Sequence, residues 1–372
     1  MTDRLTQQEH DTARVLMFSQ RNIFKNLLFR CPLHEFEDII CQIDYADVLA
    51  PEPKHWFNLG YRIANNRLLR HSTITFNPGI PKIKLRNNYD LFFAVCGHPK
   101  DLVTINTVKN WKDYCNTSIC LIDELWVKQL FEYECFLNIL SRFDYVMLYY
   151  SQSVKAVSKV IGDKCFFLPP GVDAILFCPY PEPPKRVIDV YSIGRRSDVT
   201  HQTLLKMANK NDIFYLYDSI SGSQAINPKE HRLLLANMAK RSRFFIVNPG
   251  LIDQPHIRGN QIEISNRYFE GAASGTIMLG EIPKNEEYKN LFGWPEAVVH
   301  LPFGSDGVDT IINELDKQPD KQEKMRRNNV IQSLLQHDWV YRWEKVLKTA
   351  GLEPMPGLLE RKKRLETLSR LI

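Results

Sequence analysis

The stretch NQIEISNRYFEGAASGTIMLGE, residues Asn260–Glu281, is the part of the sequence that says most about the fold. RYFEGAAS has the composition of a helix, and TIMLGE, which follows directly, has the pattern of a short buried strand. Small residues after Glu270 would let the N-terminus of this helix approach a ligand closely, and its free N–H groups favour anionic oxygens. The Glu270 carboxylate could accept two hydrogen bonds from a ribose diol, or it could cap a helix on the surface.

Helical and strand-like segments alternate on both sides of this stretch. The strand-like segments are continuously apolar, which is typical of a parallel sheet that is covered by helices on both faces. In the first half they are ARVLMFS (13–19), ADVLA (46–50), YDLFFAVCG (89–97), TSICLID (117–123), FDYVMLYYS (143–151) and KCFFLPPG (164–171). In the second half they are VIDVYSIG (187–194), DIFYLYD (212–218), SRFFIVNPG (242–250), TIMLGE (276–281) and AVVHLPFG (297–304).

A proline-rich segment divides this alternation into two parts. CPYPEPPKR, Cys178–Arg186, has four prolines in nine residues and favours an extended linker over a helix or a central strand. We therefore predict an α/β protein of two Rossmann-like, doubly wound domains, at residues 1–180 and 181–337, followed by a helical segment at 338–372. A ligand is expected in the cleft between the domains, at the carboxyl ends of both sheets.

Composition narrows the class of protein. The chain has 372 residues, 44% hydrophobic and 24% charged, which is ordinary for a globular protein and excludes disordered, collagen-like and coiled-coil classes. The net charge of +5 is too mild for a typical nucleic-acid binder and equally suits a small ligand that carries phosphate. The eight cysteines show no C-x-x-C spacing, so we expect free thiols rather than a zinc site. A polar N-terminal stretch and short apolar runs favour a cytoplasmic protein.

Four segments, in order along the chain, resemble the group-1 (family-4-like) GT-B glycosyltransferases, most closely the CgeB-type variant. RYFEGAASGTIML is similar to the R-x-F-E-x-x-A-x-G signature, and LPPGVDAILFCP is similar to the stretch that ends the N-terminal domain in this group. VYSIGRRSDVTHQTLL lies where the family has its phosphate-binding G-R-L-x-x-x-K-G loop, and FDYVMLYYSQSVKAVSKVIG resembles another family strand and helix. The resemblance implies an N-terminal acceptor domain, a C-terminal nucleotide-sugar donor domain and a C-terminal helix that crosses back to the first domain.

The resemblance also implies which residues bind the donor. Glu270 is the counterpart of the glutamate that holds the donor ribose, and Gly194, Arg195 and Arg196 lie in the phosphate loop. The family's loop lysine is missing here, so the two arginines become the predicted phosphate ligands, with His201 as a neighbour; a solvated arginine pair is the alternative. The remaining candidates for donor binding are Asn248, Asn266 and Arg267.

Three residues are candidates for catalytic roles. The family's first glutamate lies eight residues before the second, but here the nearest carboxylate is Glu263, seven before Glu270, so the loop is one residue shorter or Glu263 is unrelated. Asp123 and His98 each follow an apolar strand and should point into the cleft, where an acceptor hydroxyl needs a proton acceptor. Each of the two could instead be a loop residue with only local hydrogen bonds.

The segment Leu358–Ile372, LLERKKRLETLSRLI, places leucines near one helix face beside four cationic residues. Such a helix could rest on an anionic membrane surface, which would place the protein peripherally at the inner membrane face. It could equally dock on its own domain, because a helix this short is marginal alone.

The function that the resemblance implies is a hexosyltransferase-type glycosyltransferase active in polysaccharide or glycoconjugate biosynthesis. It would move a sugar from a nucleoside-diphosphate sugar to an acceptor hydroxyl with retention of configuration, no metal at the phosphates and no cofactor. The acceptor would be a glycan, a lipid-linked molecule or a small molecule, and not nucleic acid. A degenerate relative that binds nucleotide sugar or glycan without turnover stays open, as does an epimerase of the same fold.

Overall fold

The computed structural model describes residues 13–24, 27–66, 77–219 and 224–372 of the chain. In this part, two parallel β-sheets are each packed between layers of helices, so the predicted α/β class with two Rossmann-like units is confirmed. Every strand-like segment of the sequence overlaps one of the strands of these two sheets; the strand Cys115–Ile122 begins two residues before its predicted segment. The proline-rich segment 178–186 lies between the last strand of the first sheet and the first strand of the second.

The N-terminal unit contains a six-stranded parallel sheet and a separate parallel pair of short strands. The strands are β1 (Val15–Phe18), β2 (Ala46–Leu49), β3 (Ile83–Lys84), β4 (Tyr89–Cys96), β5 (Val108–Lys109), β6 (Cys115–Ile122), β7 (Tyr145–Leu148) and β8 (Cys165–Phe167). The main sheet has the order β2-β1-β4-β6-β7-β8, and β3 pairs with β5.

The C-terminal unit contains a five-stranded parallel sheet. Its strands are β9 (Ile188–Ser192), β10 (Tyr215–Tyr217), β11 (Ser242–Val247), β12 (Ile277–Gly280) and β13 (Val298–His300), in the order β10-β9-β11-β12-β13. In both sheets the strand order reverses direction beside the first strand, between β1 and β4 and between β9 and β11. Doubly wound proteins bind ligands beyond the carboxyl ends of strands at such a point.

Helices connect the strands of both sheets. In the N-terminal unit they are α1 (Cys31–Ile43), α2 (Phe57–Ala64), α3 (Trp111–Tyr114), α4 (Glu134–Leu140), α5 (Ser151–Ile161) and α6 (Ala174–Phe177), with 3-10 helices at Leu28–Arg30, Pro99–Thr107 and Val127–Tyr133. In the C-terminal unit they are α7 (Asp198–Asn209), α8 (Pro228–Lys240), α9 (Pro255–Arg258), α10 (Asn266–Ala273), α11 (Glu286–Phe292), α12 (Val308–Asp316) and α13 (Pro319–Gln336). Two further helices follow, α14 (Trp339–Ala350) and α15 (Pro356–Arg370).

The strands are buried on both faces, which explains their continuous apolar sequences. In β1, Val15 and Met17 face one hydrophobic cluster, whereas Leu16 and Phe18 face another on the opposite side of the sheet. The first cluster continues through α1 and α14 to the helices that cover one face of the second sheet. One hydrophobic core is therefore shared by the two units. The eight cysteines all lie in the described residues, none of them forms a disulfide, and six of them are buried.

The C-terminal helices return to the N-terminal unit, as the fold prediction states. The Trp339 ring stacks on Phe36 of α1 with ring centroids 4.8 Å apart, and the Trp343 indole donates to Asp44 at 2.8 Å. Leu358 and Leu365 of α15 are fully buried. The apolar face of α15 is thus used inside the protein, in agreement with the docking alternative rather than membrane contact. Among the described residues, no helix combines the length and the apolar character that a membrane span requires.

Candidate active site

A cleft of about 480 Å³ lies between the carboxyl ends of the two sheets, where the sequence places the ligand. Its N-terminal side includes Asp123 and Glu124, which directly follow β6, together with Tyr150 after β7. Its C-terminal side includes residues after β9 and β11 and the first turn of α10. Six of the predicted site residues line the cleft: Asp123, Gly194, Arg195, Asn248, Asn266 and Arg267.

The loop after β9 brings a cation to the cleft. Gly194 has a φ of +80°, a left-handed conformation in which a side chain would be strained, and a Cβ there would lie 4.0 Å from Nε of Arg267. Arg195 follows with its guanidinium partly exposed and 3.1 Å from Asp253. The sharp turn at Gly194 therefore places Arg195 beside Arg267 of α10 on one wall of the cleft.

The N-terminus of α10 also faces the cleft without a side-chain cap. Ser265 precedes the helix, but its hydroxyl donates to the Asn248 carbonyl at 2.7 Å instead of accepting from the helix. Asn266 and Arg267, the first two helical residues, line the cleft. Uncapped first-turn N–H groups and the positive end of the helix dipole favour an anion at this position.

The small residues of α10 pack on the second sheet. A Cβ at Gly271 would lie 2.9 Å from the side chains of Met278 in β12 and Phe245 in β11. Gly271 therefore lets α10 pack tightly on the sheet, and the prediction that the small residues let the helix N-terminus approach a ligand stays a prediction. The N-terminus of α10 meets the cleft because this packing fixes the helix over the carboxyl ends of β11 and β12.

Glu270 is fully buried beneath the cleft rather than on its surface. One carboxylate oxygen accepts a hydrogen bond from Arg232 and the other accepts one from Arg267. Burial alone would raise the pKa of Glu270, but the two guanidinium groups outweigh it and the pKa lies below its usual value. Glu270 is therefore ionised, with one arginine bound to each carboxylate oxygen, and it is not the surface helix cap of the alternative prediction.

Arg232 of α8 is a cleft residue that the sequence analysis missed. Its Nε and Nη2 donate to Glu35 of α1 at 2.9 and 3.1 Å, while Nη1 donates to Glu270. Glu35 also accepts from the Trp339 indole at 2.8 Å. Burial opposes the charge on Arg232, but the two carboxylates raise its pKa above the ordinary value. No local sequence signal marks this residue, because KEHRLLL has the pattern of any amphipathic helix.

Arg196 and His201 lie beside a smaller pocket that adjoins the cleft at Asn248. The Arg196 guanidinium is 3.1 Å from Asp218 and lies over the Tyr217 ring, 5.1 Å from its centroid. His201 Nδ1 is 2.9 Å from the Tyr215 hydroxyl, and burial lowers the pKa of this histidine. The two consecutive arginines of the loop therefore point to different cavities, Arg195 to the cleft and Arg196 to the smaller pocket.

Asp123 presents a carboxylate on the opposite wall of the cleft. Its backbone N–H donates to the Cys96 carbonyl at 3.0 Å, which fixes the residue at the ends of β4 and β6. Its side chain accepts no hydrogen bond from any residue that the structure describes, whereas the neighbouring Glu124 accepts from the Trp126 indole at 2.7 Å. Burial, and next the charge of Glu124, raise the pKa of Asp123 to about 8.

His98 lies outside the cleft lining, at the start of the 3-10 helix Pro99–Thr107. Its Nδ1 accepts from the N–H of Lys100 at 3.2 Å, and its own N–H donates to Asp101 at 2.9 Å, so it caps the 3-10 helix that follows. Its Nε2 lies 3.2 Å from the Tyr133 hydroxyl. The capping contacts are local, as the alternative prediction states, whereas Tyr133 lies 35 residues away along the chain.

Glu263 is also outside the cleft lining. Its carboxylate accepts from the N–H of Gln152 at 3.3 Å, at the start of α5, and from the Gln261 amide at 2.7 Å. Burial raises its pKa to about 8. Glu263 thus joins the C-terminal unit to a helix of the N-terminal unit. In the described ranges, no three His, Cys, Asp or Glu side chains are grouped as a metal site.

Two Rossmann-like units with a common cleft between their strand ends define the class of GT-B folds. Residues 220–348 match the sequence profile of a family described as "Glycosyl transferase-like". This match and the fold confirm the resemblance to group-1-like GT-B glycosyltransferases. No curated protein sequence matches the chain.

Solved structures with the same fold cover most of the chain. HepE from Anabaena, in complex with UDP-glucose, is 12% identical in sequence, with a TM-score of 0.53. The match covers 91% of this chain and 99% of the HepE chain. An α-glucosyltransferase in complex with UDP and DNA is 11% identical, with a TM-score of 0.53 and the same coverage. The α-glucosyltransferase in complex with UDP-glucose and DNA is 10% identical, with a TM-score of 0.52 and coverages of 91% and 99%. At these identities the similarity is one of fold.

Proposed function

We propose that the protein is a glycosyltransferase that transfers a sugar from a nucleoside-diphosphate sugar to an acceptor hydroxyl. The observation that carries this proposal is the convergence of Arg195, Arg267 and the uncapped N-terminus of α10 on one wall of a cleft that presents Asp123 on the other. Guanidinium groups bind phosphate oxygens with paired, charge-assisted hydrogen bonds, and helix N–H groups add further donors. A diphosphate therefore fits the C-terminal wall, and an acceptor fits the N-terminal wall.

The chemistry follows from the charges of the two walls. The bond between the anomeric carbon and the diphosphate breaks, and Arg195, Arg267 and the α10 N-terminus stabilise the negative charge that develops on the leaving group. The acceptor oxygen forms the new bond to the anomeric carbon, with retention of configuration. Asp123 accepts the proton of the acceptor hydroxyl as the new bond forms, and the diphosphate leaves as the anion that the opposite wall binds. The cations of the chain take the role of a metal at the phosphates.

The donor and acceptor classes are part of the proposal. UDP and UDP-glucose are the first nucleotides to test, because HepE and the α-glucosyltransferase hold them in structures of the same fold. A hexose is accordingly the sugar we propose, with the donor as substrate and no separate cofactor. DNA is not proposed as the acceptor although it is present in the α-glucosyltransferase structures, because the net charge here is only +5.

A thermal-shift panel of UDP, GDP, ADP and their sugars tests the donor site. A nucleotide at 100 times its dissociation constant stabilises the folded protein by about 2.7 kcal/mol and raises the melting temperature. Arg195→Ala should reduce this shift. Arg241→Ala should preserve it, because Arg241 lies next to the amino end of β11, at the opposite end of the sheet. The absence of a shift with every nucleotide would contradict the proposal.

A non-catalytic relative that only binds nucleotide sugar is the second candidate. It is favoured by Glu263 and Glu270, whose carboxylates are both engaged in internal contacts, and by the missing loop lysine. The two candidates differ in whether a bound nucleotide sugar releases nucleoside diphosphate, with its sugar passing to an added acceptor hydroxyl or to water. Release by the wild type that Asp123→Asn abolishes supports the enzyme, whereas binding without release supports the non-catalytic relative.

A further inference from the structure

Four side chains of alternating charge, three of them buried, connect the two units beside the cleft. In order they are Glu35, Arg232, Glu270 and Arg267, which we call the charged row. Glu35 belongs to α1 of the N-terminal unit, and the other three belong to α8 and α10 of the C-terminal unit. The row therefore crosses from one unit to the other, and its last member, Arg267, lies on the cleft wall.

Arg232 is the member of this row that holds both units. All three of its nitrogens donate to carboxylates: Nε and Nη2 to Glu35, and Nη1 to Glu270. Only 4% of its side chain is exposed, and its guanidinium lies over the Phe177 ring at 4.9 Å. A planar guanidinium that is bound on two sides has a fixed orientation, so the position of Glu35 determines where Nη1 meets Glu270.

Glu35 is itself held firmly by the N-terminal side of the molecule. Oε2 accepts from the Trp339 indole at 2.8 Å and from the N–H of Asp173 at 3.1 Å, in addition to Arg232. By contrast Arg267, at the other end of the row, keeps 27% of its side chain exposed. The row is therefore rigid at its Glu35 end and able to exchange partners at its cleft end.

We propose that Arg232 is a positioning residue that couples the contact between the two units to the donor site. This inference rests on the proposed function. A diphosphate in the cleft draws Arg267 toward its oxygens and releases one oxygen of Glu270, which then accepts from the donor ribose. Arg232, anchored by Glu35, keeps the other oxygen of Glu270 and so holds the carboxylate in place for the nucleotide. Glu35 thus influences donor affinity although it does not line the cleft.

The direction in which Glu35→Gln changes nucleotide affinity separates this role from a purely electrostatic one. Glu35→Gln removes a negative charge near the cleft, so electrostatics alone predicts that an anionic nucleotide binds as well or more tightly. Coupling through Arg232 predicts the opposite, because the released guanidinium no longer positions Glu270. Allosteric couplings of this type commonly change affinity 5- to 150-fold. We expect about tenfold weaker binding.

The experiment measures nucleotide affinity by calorimetry on the full chain. UDP, GDP and ADP are titrated into the wild type, and the nucleotide that binds is titrated into Glu35→Gln, Arg232→Lys and the double variant. Glu37→Gln is the matched control, since Glu37 is a second buried carboxylate of α1 but is paired with Ser19 and Arg21. Each single variant should weaken binding about tenfold, the double variant should be no weaker, and Glu37→Gln should bind like the wild type.

The outcomes distinguish this inference from the proposed function. Binding to Glu35→Gln as tight as to the wild type, or additive losses in the double variant, would overturn the coupling and leave the donor site standing. Failure of the wild type to bind any of the three nucleotides would overturn both. If Glu35→Gln does not fold, Trp339→Phe removes the indole hydrogen bond to Glu35, together with part of the ring that packs on Phe36, and should weaken binding two- to threefold. Unchanged affinity would contradict the coupling.

Discussion

The two Rossmann-like units have the same kind of sheet but present opposite charges to the cleft. Residues that follow β6 of the N-terminal unit are the carboxylates Asp123 and Glu124, whereas the C-terminal wall carries Arg195 and Arg267. Both sets occupy equivalent places, at the carboxyl ends of parallel strands. The fold therefore determines where the side chains meet, and the residues after each strand determine which substrate each wall suits.

The N-terminal unit also has a cation at its strand ends, but that cation is neutralised inside the protein. Arg30 is only 4% exposed, and its Nη2 and Nη1 donate to Asp101 at 2.7 Å and to Gln20 at 3.0 Å. Its counterpart on the other wall, Arg195, is 42% exposed. The contrast between the walls thus depends on which arginines are buried with a partner as much as on which residues are present.

The largest expected effect comes from removing the negative charge of the N-terminal wall. Asp123→Asn should slow release of nucleoside diphosphate from the bound nucleotide sugar about 100- to 1,000-fold, since the acceptor oxygen loses its proton acceptor. The affinity for the nucleoside diphosphate should stay the same, because the phosphates bind to the opposite wall. Steady-state rates together with calorimetry check both parts, and a loss of affinity without a loss of rate would contradict the division of roles.

Removing a cation of the C-terminal wall should have a smaller effect than Asp123→Asn, and it should lower nucleotide affinity. Arg267→Ala should weaken nucleotide binding about 30-fold, because hydrogen bonds to charged groups contribute roughly 1.5–3 kcal/mol. The variant also leaves Glu270 with Arg232 as its remaining cationic partner. Calorimetry measures the loss, with Arg241→Ala as the control. Equal affinity of the two variants would show that the phosphates bind elsewhere.

The pH dependence of the rate should follow the ionisation of Asp123 on the N-terminal wall. The pKa of Asp123 is raised to about 8, so the carboxylate form that accepts a proton is minor at pH 7 and predominant at pH 9. We expect kcat/KM to rise about tenfold over this interval, which is the ratio of ionised fractions for a pKa of 8. Rates of the wild type and of Asp123→Asn from pH 6 to 9 test this, and the variant should show a flat profile.

The smallest expected effect is on stability and comes from Glu263. This predicted site residue of the C-terminal unit has its carboxylate against the N-terminal unit. Glu263 has a pKa raised from 4.5 to about 8, so its contribution to stability is full below pH 4.5 and is lost as the pH rises through 8. Glu263→Gln keeps the oxygen that accepts from Gln152 and has no charge to bury. Its melting temperature should equal that of the wild type at pH 5 and exceed it by a few degrees at pH 9. Parallel melting curves at all pH values would contradict this expectation.

The sequence predicted the elements and part of the site because both depend on local patterns. Gly194, Arg195 and Arg267 could be found since they directly follow a strand or begin a helix next to a recognisable motif. Arg232 could not, because its partner Glu35 is 197 residues away and only the fold brings them together. For the same reason the sequence could not show that Glu263 contacts the start of α5, 111 residues earlier. The sequence can therefore indicate where a carboxylate such as Glu263 lies, but not which residue it contacts.

The return of α14 to the first unit has a consequence for biosynthesis. Trp339 and Trp343 fill the space between α1 and the first sheet, where they contact Phe36 and Phe93. A ribosome that adds about 5–20 residues per second reaches Trp339 roughly 10–30 s after it has completed β8. Throughout that time the nascent N-terminal unit exposes an aromatic surface that the chain itself covers only later. Newly made protein should therefore be a good substrate for chaperones until its last helices emerge.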